Sequence, residues 1–504
     1  MTIRTNNLRL IFGLKVKHLR HQKNLGLKDL SALTGLSVSY LSEIEQGKKY
    51  PSPEKIIALA GALGMSFDDL VKANDIEDSN PISSFMNSPI IKEFPFQLFG
   101  ITLGDVVGLV RDSPAKASAF VRTLSEIGEM YDMRVEQFFF AALRSYQKMH
   151  HNYFSDIEDA AIEFLAAHRW KQPPSYAQLC AVLRDEHAYE IDEKTLQVHP
   201  ELKALRSIWI PGLPQRLYIN GLMMASQKAF VAGHALAYEF LKLSDRPATS
   251  TWIKVESFDG VLNNFKASYF AGALLIHRDA LRNELARFFK KTKWDGREFV
   301  DIMSRFQATP EMFLYRLTQI IPEFFNMEEI YFLRFNNESG TSNFHITKEL
   351  NTSRFFVPHG IGLNEHYCRR WLSIRLLQEL GEKGKKKNRQ NVLVAAQRSR
   401  FIDSEAEFLT ISLARRLVLT EKSNSCVTIG FLVNDQFRNT VRFWKDPAIP
   451  VVEVNETCER CRLTQKECKE RACAATLYEH ERTLEKREGA LHRLIASTDG
   501  REKI

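Results

Sequence analysis

Apolar positions near the start of the chain recur at helical spacing and are cut by glycines. Leu27, Leu30 and Leu33 line one face of a short helix. Gly35 stands where that helix must end, and Ser37 is placed to N-cap the next. Val38, Leu41, Ile44 and Glu45 follow at helical spacing, and Gly47 stops this helix before Lys48 and Lys49. An amphipathic helix with Leu14, Val16 and Leu19 precedes the pair, and further helices over 53–63 and 66–71 close a bundle spanning 1–72. Residues 73–89 are polar, carry two prolines and read as a linker. A helical region over 90–190 comes next. Within it, Ser155 followed three residues later by Glu158 predicts a capping box.

In the segment 191–328, short strands around 207–210 and 216–219 lead into a helix over 226–243, followed by a helix over 263–281 and a second helix–turn–helix pattern over 299–320 with its turn at 307–310. From Glu329 the apolar period changes from helical to alternating. Strands are predicted at 330–335, 342–347, 392–397, 408–412, 427–433 and 441–444, with a helix from about Glu365. The charged run at 381–390 reads as a solvated loop. Segment 329–474 is therefore expected to be α+β with a mainly antiparallel sheet, and 475–504 a helix. In that helix Leu477, Leu484 and Leu491 recur every seven residues, as in a short dimer seam or a helix packed on its own domain.

The 504 residues exceed one ordinary core, so a multidomain protein is expected. No apolar run approaches the ~20 residues of a membrane span. Lys15 and Lys17 interrupt the one candidate leader, so a cytoplasmic protein is expected. Residues 1–72 hold eleven Lys and Arg against six Asp and Glu, so much of the net charge of +8 lies in the first bundle. That is the electrostatic footprint expected of a DNA-binding surface. The stretch Gly26 to Pro51 resembles the helix-turn-helix of the all-α lambda-repressor-like (Cro/CI, XRE) family. A small bundle without a DNA role is the bland alternative. The resemblance implies that Ser39, Tyr40, Ser42 and Glu43, with Ser37 and Lys28, lie at the base-reading end. Lys15, Lys17, Lys48 and Lys49 are expected on phosphates, which position the protein without specifying sequence.

The helix over 226–243 stands where a zinc peptidase carries H-E-x-x-H, two imidazoles on one face beside a general base. Here the window is His234-Ala235-Leu236-Ala237-Tyr238. Residues 263–281 resemble the helix that supplies the third ligand in ImmA/IrrE-type peptidases, and the aligned position is Asn264. One imidazole cannot hold a catalytic zinc. A mainly α, degenerate peptidase-like core without enzyme activity is expected, with an active zinc metallopeptidase as the alternative.

Cys458, Cys461, Cys468 and Cys473 crowd into a short C-terminal stretch, whereas Cys180, Cys368 and Cys426 stand apart. In a reducing compartment such a cluster reads as metal ligands, suited equally to zinc or an iron–sulfur cluster. The chain carries HHNYFSDIEDAA at 150–161, HPELKALRSIW at 199–209, ASYFAGALL at 267–275, SRFQATPEMFLYRL at 304–317, HYCRRW at 366–371, CERC at 458–461 and CKERA at 468–472. Through these stretches most of the chain is similar to the short-chain fatty acyl transcriptional regulators.

The resemblance implies a four-thiolate [4Fe–4S] site at Cys368, Cys458, Cys461 and Cys468, with Cys473 as an alternate ligand. It further implies sensing of short-chain acyl-CoA or CoA and control of propionate, acetate or glyoxylate metabolism. Arg206, Arg216, Tyr218, His234, Tyr238 and Tyr269 are the candidate ligand-binding residues of the core cleft. A homodimer on a double-stranded DNA operator is expected. The competing reading is a constitutive XRE-type repressor with a structural zinc.

Overall fold

The computed structural model describes residues 3–71, 95–101, 123, 126, 135–170, 173–249, 257–355, 365–382, 392–402, 404–420 and 422–499. The linker expected at 73–89 lies outside them, as does nearly all of the charged run at 381–390. Chain contacts divide the molecule into two compact units. One comprises 1–147 with 243–247 and 252–265, and the other the remainder.

The first unit opens with five helices, α1 Ile3–Gln22, α2 Leu27–Thr34, α3 Val38–Glu45, α4 Pro53–Leu63 and α5 Phe67–Val71. Their core is Phe12, Val16, Leu30, Leu41, Ile44, Ile56, Leu59, Leu63 and Leu70. Gly35 ends α2 at φ 71°, a left-handed conformation that glycine adopts without strain. Gly13 lets α1 lie against α3: a Cβ there would sit 2.2 Å from the Ile44 carbonyl oxygen.

The second unit contains α7 Ser155–Ala167, α8 Tyr176–His187, β1 Tyr189–Asp192, α9 Thr195–Val198, β2 Ser207–Ile210, β3 Gln215–Ile219 and α10 Ala225–Phe240. α6 Val135–Met149, which precedes them, and α11 Phe258–Leu275 run from one unit into the other. α12 Arg278–Phe289, α13 Gly296–Arg305 and α14 Pro310–Phe325 follow. The small sheet has the order β1-β3-β2, with β1 parallel to β3 and β2 antiparallel to it.

The capping box predicted at Ser155 is absent. Phe154 occupies the cap, and no side chain bonds the helix start. The S-x-x-Q of Ser175 and Gln178 makes a capping box instead, at α8. Glu158 turns inward. It forms a two-pronged ion pair with Arg316 of α14, and the side chains are 2% and 1% exposed. Arg316 also donates to the Ile276 carbonyl at 3.0 Å, and Tyr269 donates its hydroxyl to Glu158 at 2.8 Å. The pair thus fastens α7, α11 and α14 together.

The C-terminal sheet has the order β5-β4-β8-β7-β6-β9 and is antiparallel except at β6–β9. Its strands are β4 Ile330–Glu338, β5 Phe344–Asn351, β6 Leu393–Phe401, β7 Glu407–Arg416, β8 Ser423–Leu432 and β9 Val451–Val454. Tyr331, Leu333 and Phe335 pack with Trp371, Leu372 and Leu376 at helix α15 Leu372–Glu382. Phe332, on the opposite side of β4, meets Tyr315 of α14.

Three sequence expectations shift here. The helix expected from Glu365 begins at Leu372, because 365–371 pairs with the chain near Thr457 instead. The strand expected at 441–444 is a 3-10 turn, Arg442–Lys445, preceded by α16 Asp435–Thr440. The parallel edge strand β9 was not anticipated. Helix α17 Thr476–Asp499 ends the described chain, with Leu484 and Leu491 exposed. The architecture is an all-α head, a mainly helical middle and a C-terminal mixed sheet with helices.

Glu158→Ala would leave the Arg316 charge buried without its partner. We expect a loss of about 3–5 kcal/mol of stability, read by urea unfolding, with little change in DNA affinity.

Candidate functional site

α3 is the second helix of the head's turn pair. Ser37 caps it, accepting the Tyr40 N–H at 3.2 Å. Ser37 and Ser39 are exposed and lie 3.2 Å apart through their hydroxyls, while Ser42 accepts from Gln46 at 2.9 Å. Tyr40 is half-buried, with the Lys55 ammonium 4.2 Å above its ring. Glu43 pairs with Lys49 at 2.7 Å, and this bond favours the charged lysine. Among the α3 candidates, Ser39 is therefore the one left exposed and without an ion pair, whereas Glu43 is partly neutralised.

Lys15 departs from its expected role. It is 2% exposed and donates to the Asp69 carbonyl, tying α1 to α5 rather than facing a phosphate. Lys28 and Lys48 are exposed, and Lys17 is half-buried. The orientation of α3 depends on a pair not anticipated from sequence. Arg20 of α1 grips Glu45 at 2.6 and 2.9 Å, both side chains are buried, and Arg20 also donates to the Leu25 carbonyl.

In the C-terminal unit, segment 365–371 runs beside 455–458. The Cys368 N–H bonds the Glu456 carbonyl at 3.1 Å, the Cys458 N–H bonds the His366 carbonyl at 2.8 Å, and Tyr367 bridges Thr457. Trp371 donates its indole N–H to the Asn455 carbonyl at 2.7 Å. Cys368 and Cys458, ninety residues apart in sequence, are thereby set side by side, and Cys461 and Cys468 are buried as they are. Burial pushes the Cys368 thiol up to about 12, and the charges of Cys458 and Cys461 add to this. Burial also raises Cys468, on which Cys458 acts too. Closely spaced buried thiols resist ionisation unless a cation or metal offsets the charge.

The surroundings suit such a load. The Ala472 N–H points at the Cys458 sulfur at 3.3 Å, and Arg471 wraps the loop through the Cys458 and Cys473 carbonyls. Cys473 takes a separate place. Its thiol donates to Glu459 at 2.9 Å, and Glu459 also accepts from His366. His366, Glu459 and Cys473 bring one ligand atom each within 4.8 Å of one another.

The core candidates are spread over the chain just before β2, and over β3, α10 and α11. Arg206 lies 3.7 Å from Glu311 at the start of α14. Arg216 pairs with Glu190 at 3.3 Å, and with Tyr218 it lines a pocket of about 560 Å³ edged by Arg184 and Tyr189. His234 and Tyr238 are neighbours on α10, with ring centroids 5.4 Å apart, and Tyr238 is buried. Tyr269 is withdrawn into the core by Glu158 and the Phe154 N–H, which corrects its placement in a ligand cleft. Ala235 and Tyr238 stand where H-E-x-x-H would put a base and a second imidazole, and neither is a metal-binding base or imidazole.

Residues 16–70 match the helix-turn-helix family model, and residues 189–318 match the IrrE N-terminal-like domain. HTH-type transcriptional regulator DdrOP3 of Deinococcus deserti is 36% identical over 58 residues, 12% of this chain and 45% of that protein. The match thus spans less than half of that relative's length. The uncharacterized HTH-type transcriptional regulator y4dJ of Sinorhizobium fredii is 35% identical over 69 residues, covering 14% of this chain and 90% of that protein. Control protein C.BamHI of Bacillus amyloliquefaciens is 38% identical over 68 residues, 84% of its length. A Mycobacterium tuberculosis transcriptional regulator superposes at a TM-score of 0.45 with 17% identity, covering 67% of this chain and 93% of that one, a level that carries no functional argument. The head and the core define a helix-turn-helix protein with an IrrE-like domain. The chain belongs to the HTH-type transcriptional regulators.

Lys48→Ala is expected to weaken binding to any duplex and to lower the salt slope of log affinity by about 1, measured by anisotropy across a salt series. Lys15→Ala is expected instead to lower the head's melting temperature and leave that slope unchanged.

Proposed function

We propose that the protein is a sequence-specific, cytoplasmic transcription regulator whose head binds a double-stranded operator under the control of a bound effector. The head supports the first half of this reading: a capped second helix with Ser39 exposed, held by a buried ion pair, in a basic first domain. Two heads of a dimer would meet half-sites about 34 Å apart. The exposed Leu484 and Leu491 of α17 are the surface that would join them.

The effector reading has two parts. Short-chain acyl-CoA or CoA is the proposed ligand of the core, with Arg206, Arg216, Tyr218, His234 and Tyr238 as its candidate contacts. A [4Fe–4S] cluster is proposed at Cys368, Cys458, Cys461 and Cys468, and the observation that supports it is the backbone pairing that sets Cys368 beside Cys458, with Cys461 and Cys468 buried as well. When bound, such a cluster supplies an oxidation-sensitive tie between segment 365–371 and the chain after β9. The protein's own part is to hold the sulfurs, donate the Ala472 N–H to Cys458, and set Arg369 and Arg471 near the negative charge. Peptidase chemistry is not part of the proposal, since Ala235, Tyr238 and Asn264 replace the base and two ligands.

Protein purified without oxygen is expected to contain iron and acid-labile sulfide and to absorb broadly in the visible. Cys461→Ser is expected to lose both. A colourless protein with one zinc would favour the constitutive repressor with a structural metal, and protein with neither metal would end the cluster proposal.

A further inference from the structure

Four cations from distant parts of the second unit converge on one carboxylate. Glu311, the second residue of α14, lies 3.0 Å from Arg334, 3.7 Å from Lys348 and 3.7 Å from Arg206. Arg415 of β7 faces the same carboxylate. Burial alone would raise the Glu311 carboxyl, yet Arg334, Lys348, Arg206 and Arg415 hold it down to about 2. Burial pulls Arg415 down to about 10, and Arg206 and Arg334 add to the pull. Lys348 is lowered by burial first and by the same two arginines, with Glu311 opposing.

The sheet register makes the crowding plain. Arg334 and Lys348 are directly opposite partners on β4 and β5, a pairing of like charges that costs stability unless an anion lies between or above them. One carboxylate offsets one of four positive charges, so the group carries a surplus of three. The cluster is neither a dry core nor a solvated face. Side-chain exposure is 39% for Arg206, 38% for Lys348, 22% for Glu311 and 13% for Arg334. Lys348 rests 3.6 Å over the Tyr315 ring, and Arg415 reaches the Met224 sulfur at 3.2 Å. These walls strengthen any charge pairing inside.

We propose that Arg206, Arg334, Lys348 and Arg415 form a receptor for a phosphate-bearing small molecule, seated beside Glu311 where α14 meets the sheet. The surplus of three exceeds what a single carboxylate ligand neutralises and matches a diphosphate. Three guanidinium forks suit tetrahedral phosphate oxygens. The partial enclosure suits a small molecule better than duplex backbone. The inference goes beyond the acyl-CoA reading, shares only Arg206 with it, and stands if the ligand is not a thioester of coenzyme A.

The test is calorimetric titration of the full-length protein with inorganic pyrophosphate in a phosphate-free buffer, with malonate and sulfate in parallel. Saturable pyrophosphate binding is expected, roughly tenfold weaker or more in Lys348→Gln and in Arg415→Gln. Glu311→Gln is expected to bind pyrophosphate more tightly, an effect that a purely structural cluster would not produce. Absence of saturable binding in the wild-type protein overturns the proposal, as does binding that the three variants leave unchanged. A preference for malonate over pyrophosphate overturns the phosphate assignment. A loss of duplex affinity in Lys348→Gln would mean that the cluster faces DNA, and would overturn the small-molecule assignment. Normal duplex binding without pyrophosphate binding would sink this site while leaving the regulator reading intact.

Discussion

The second unit hangs on one buried ion pair. Glu158 and Arg316 are nearly inaccessible, and each finds further partners: Tyr269 for the carboxylate, the Ile276 carbonyl and Gln319 for the guanidinium. A buried charge is tolerable only when paired and hydrogen-bonded in this way. The consequence reaches past the core, because α14 carries Arg316 on one side and Glu311 at its start. Fixing Arg316 therefore fixes the helix end that meets Arg334, Lys348 and Arg415 on the sheet. α14 also packs on the sheet itself, where its Tyr315 meets Phe332 of β4.

The head uses the same device on a smaller scale. Arg20 and Glu45 are buried together and lock α1 to the last residue of α3. The recognition helix is thus set by its apolar face, by the Ser37 cap and by one ion pair. Among its candidate positions Ser39 is the exposed one. At the far end of the chain, the cysteine segments are brought together by ordinary backbone pairing around Tyr367 and Thr457. Cys368 and Cys458 are neighbours because the turn before α15 runs beside the chain that follows β9.

Local signals were readable from the chain: Gly35, Ser37 and Gly47 mark the helix ends, because cap and left-handed positions depend on a few neighbouring residues. Pro310 after Thr309 marks the start of α14 in the same way. Signals that depend on distant partners were not. The letters S-x-x-E at Ser155 are the same whether Glu158 turns back to its helix or reaches Arg316, more than 150 residues away. Lys15 sits in a run of cations, yet its position on α1 points inward. Val451–Val454 is a short edge strand whose partner, β6, lies fifty residues upstream. Arg334, Lys348 and Arg415 are scattered over eighty residues and acquire meaning only through the register of β4, β5 and β7.

The most direct measurement is an anisotropy titration of full-length protein against duplexes selected from a randomised library, with and without a short-chain acyl-CoA. The account predicts a selected sequence bound roughly 10³-fold or more tighter than a scrambled duplex at the same salt. It also predicts that acyl-CoA shifts that affinity by roughly 5–150-fold. Selection that recovers no preferred sequence, with equal affinity for all duplexes, would contradict the claim that this head reads an operator.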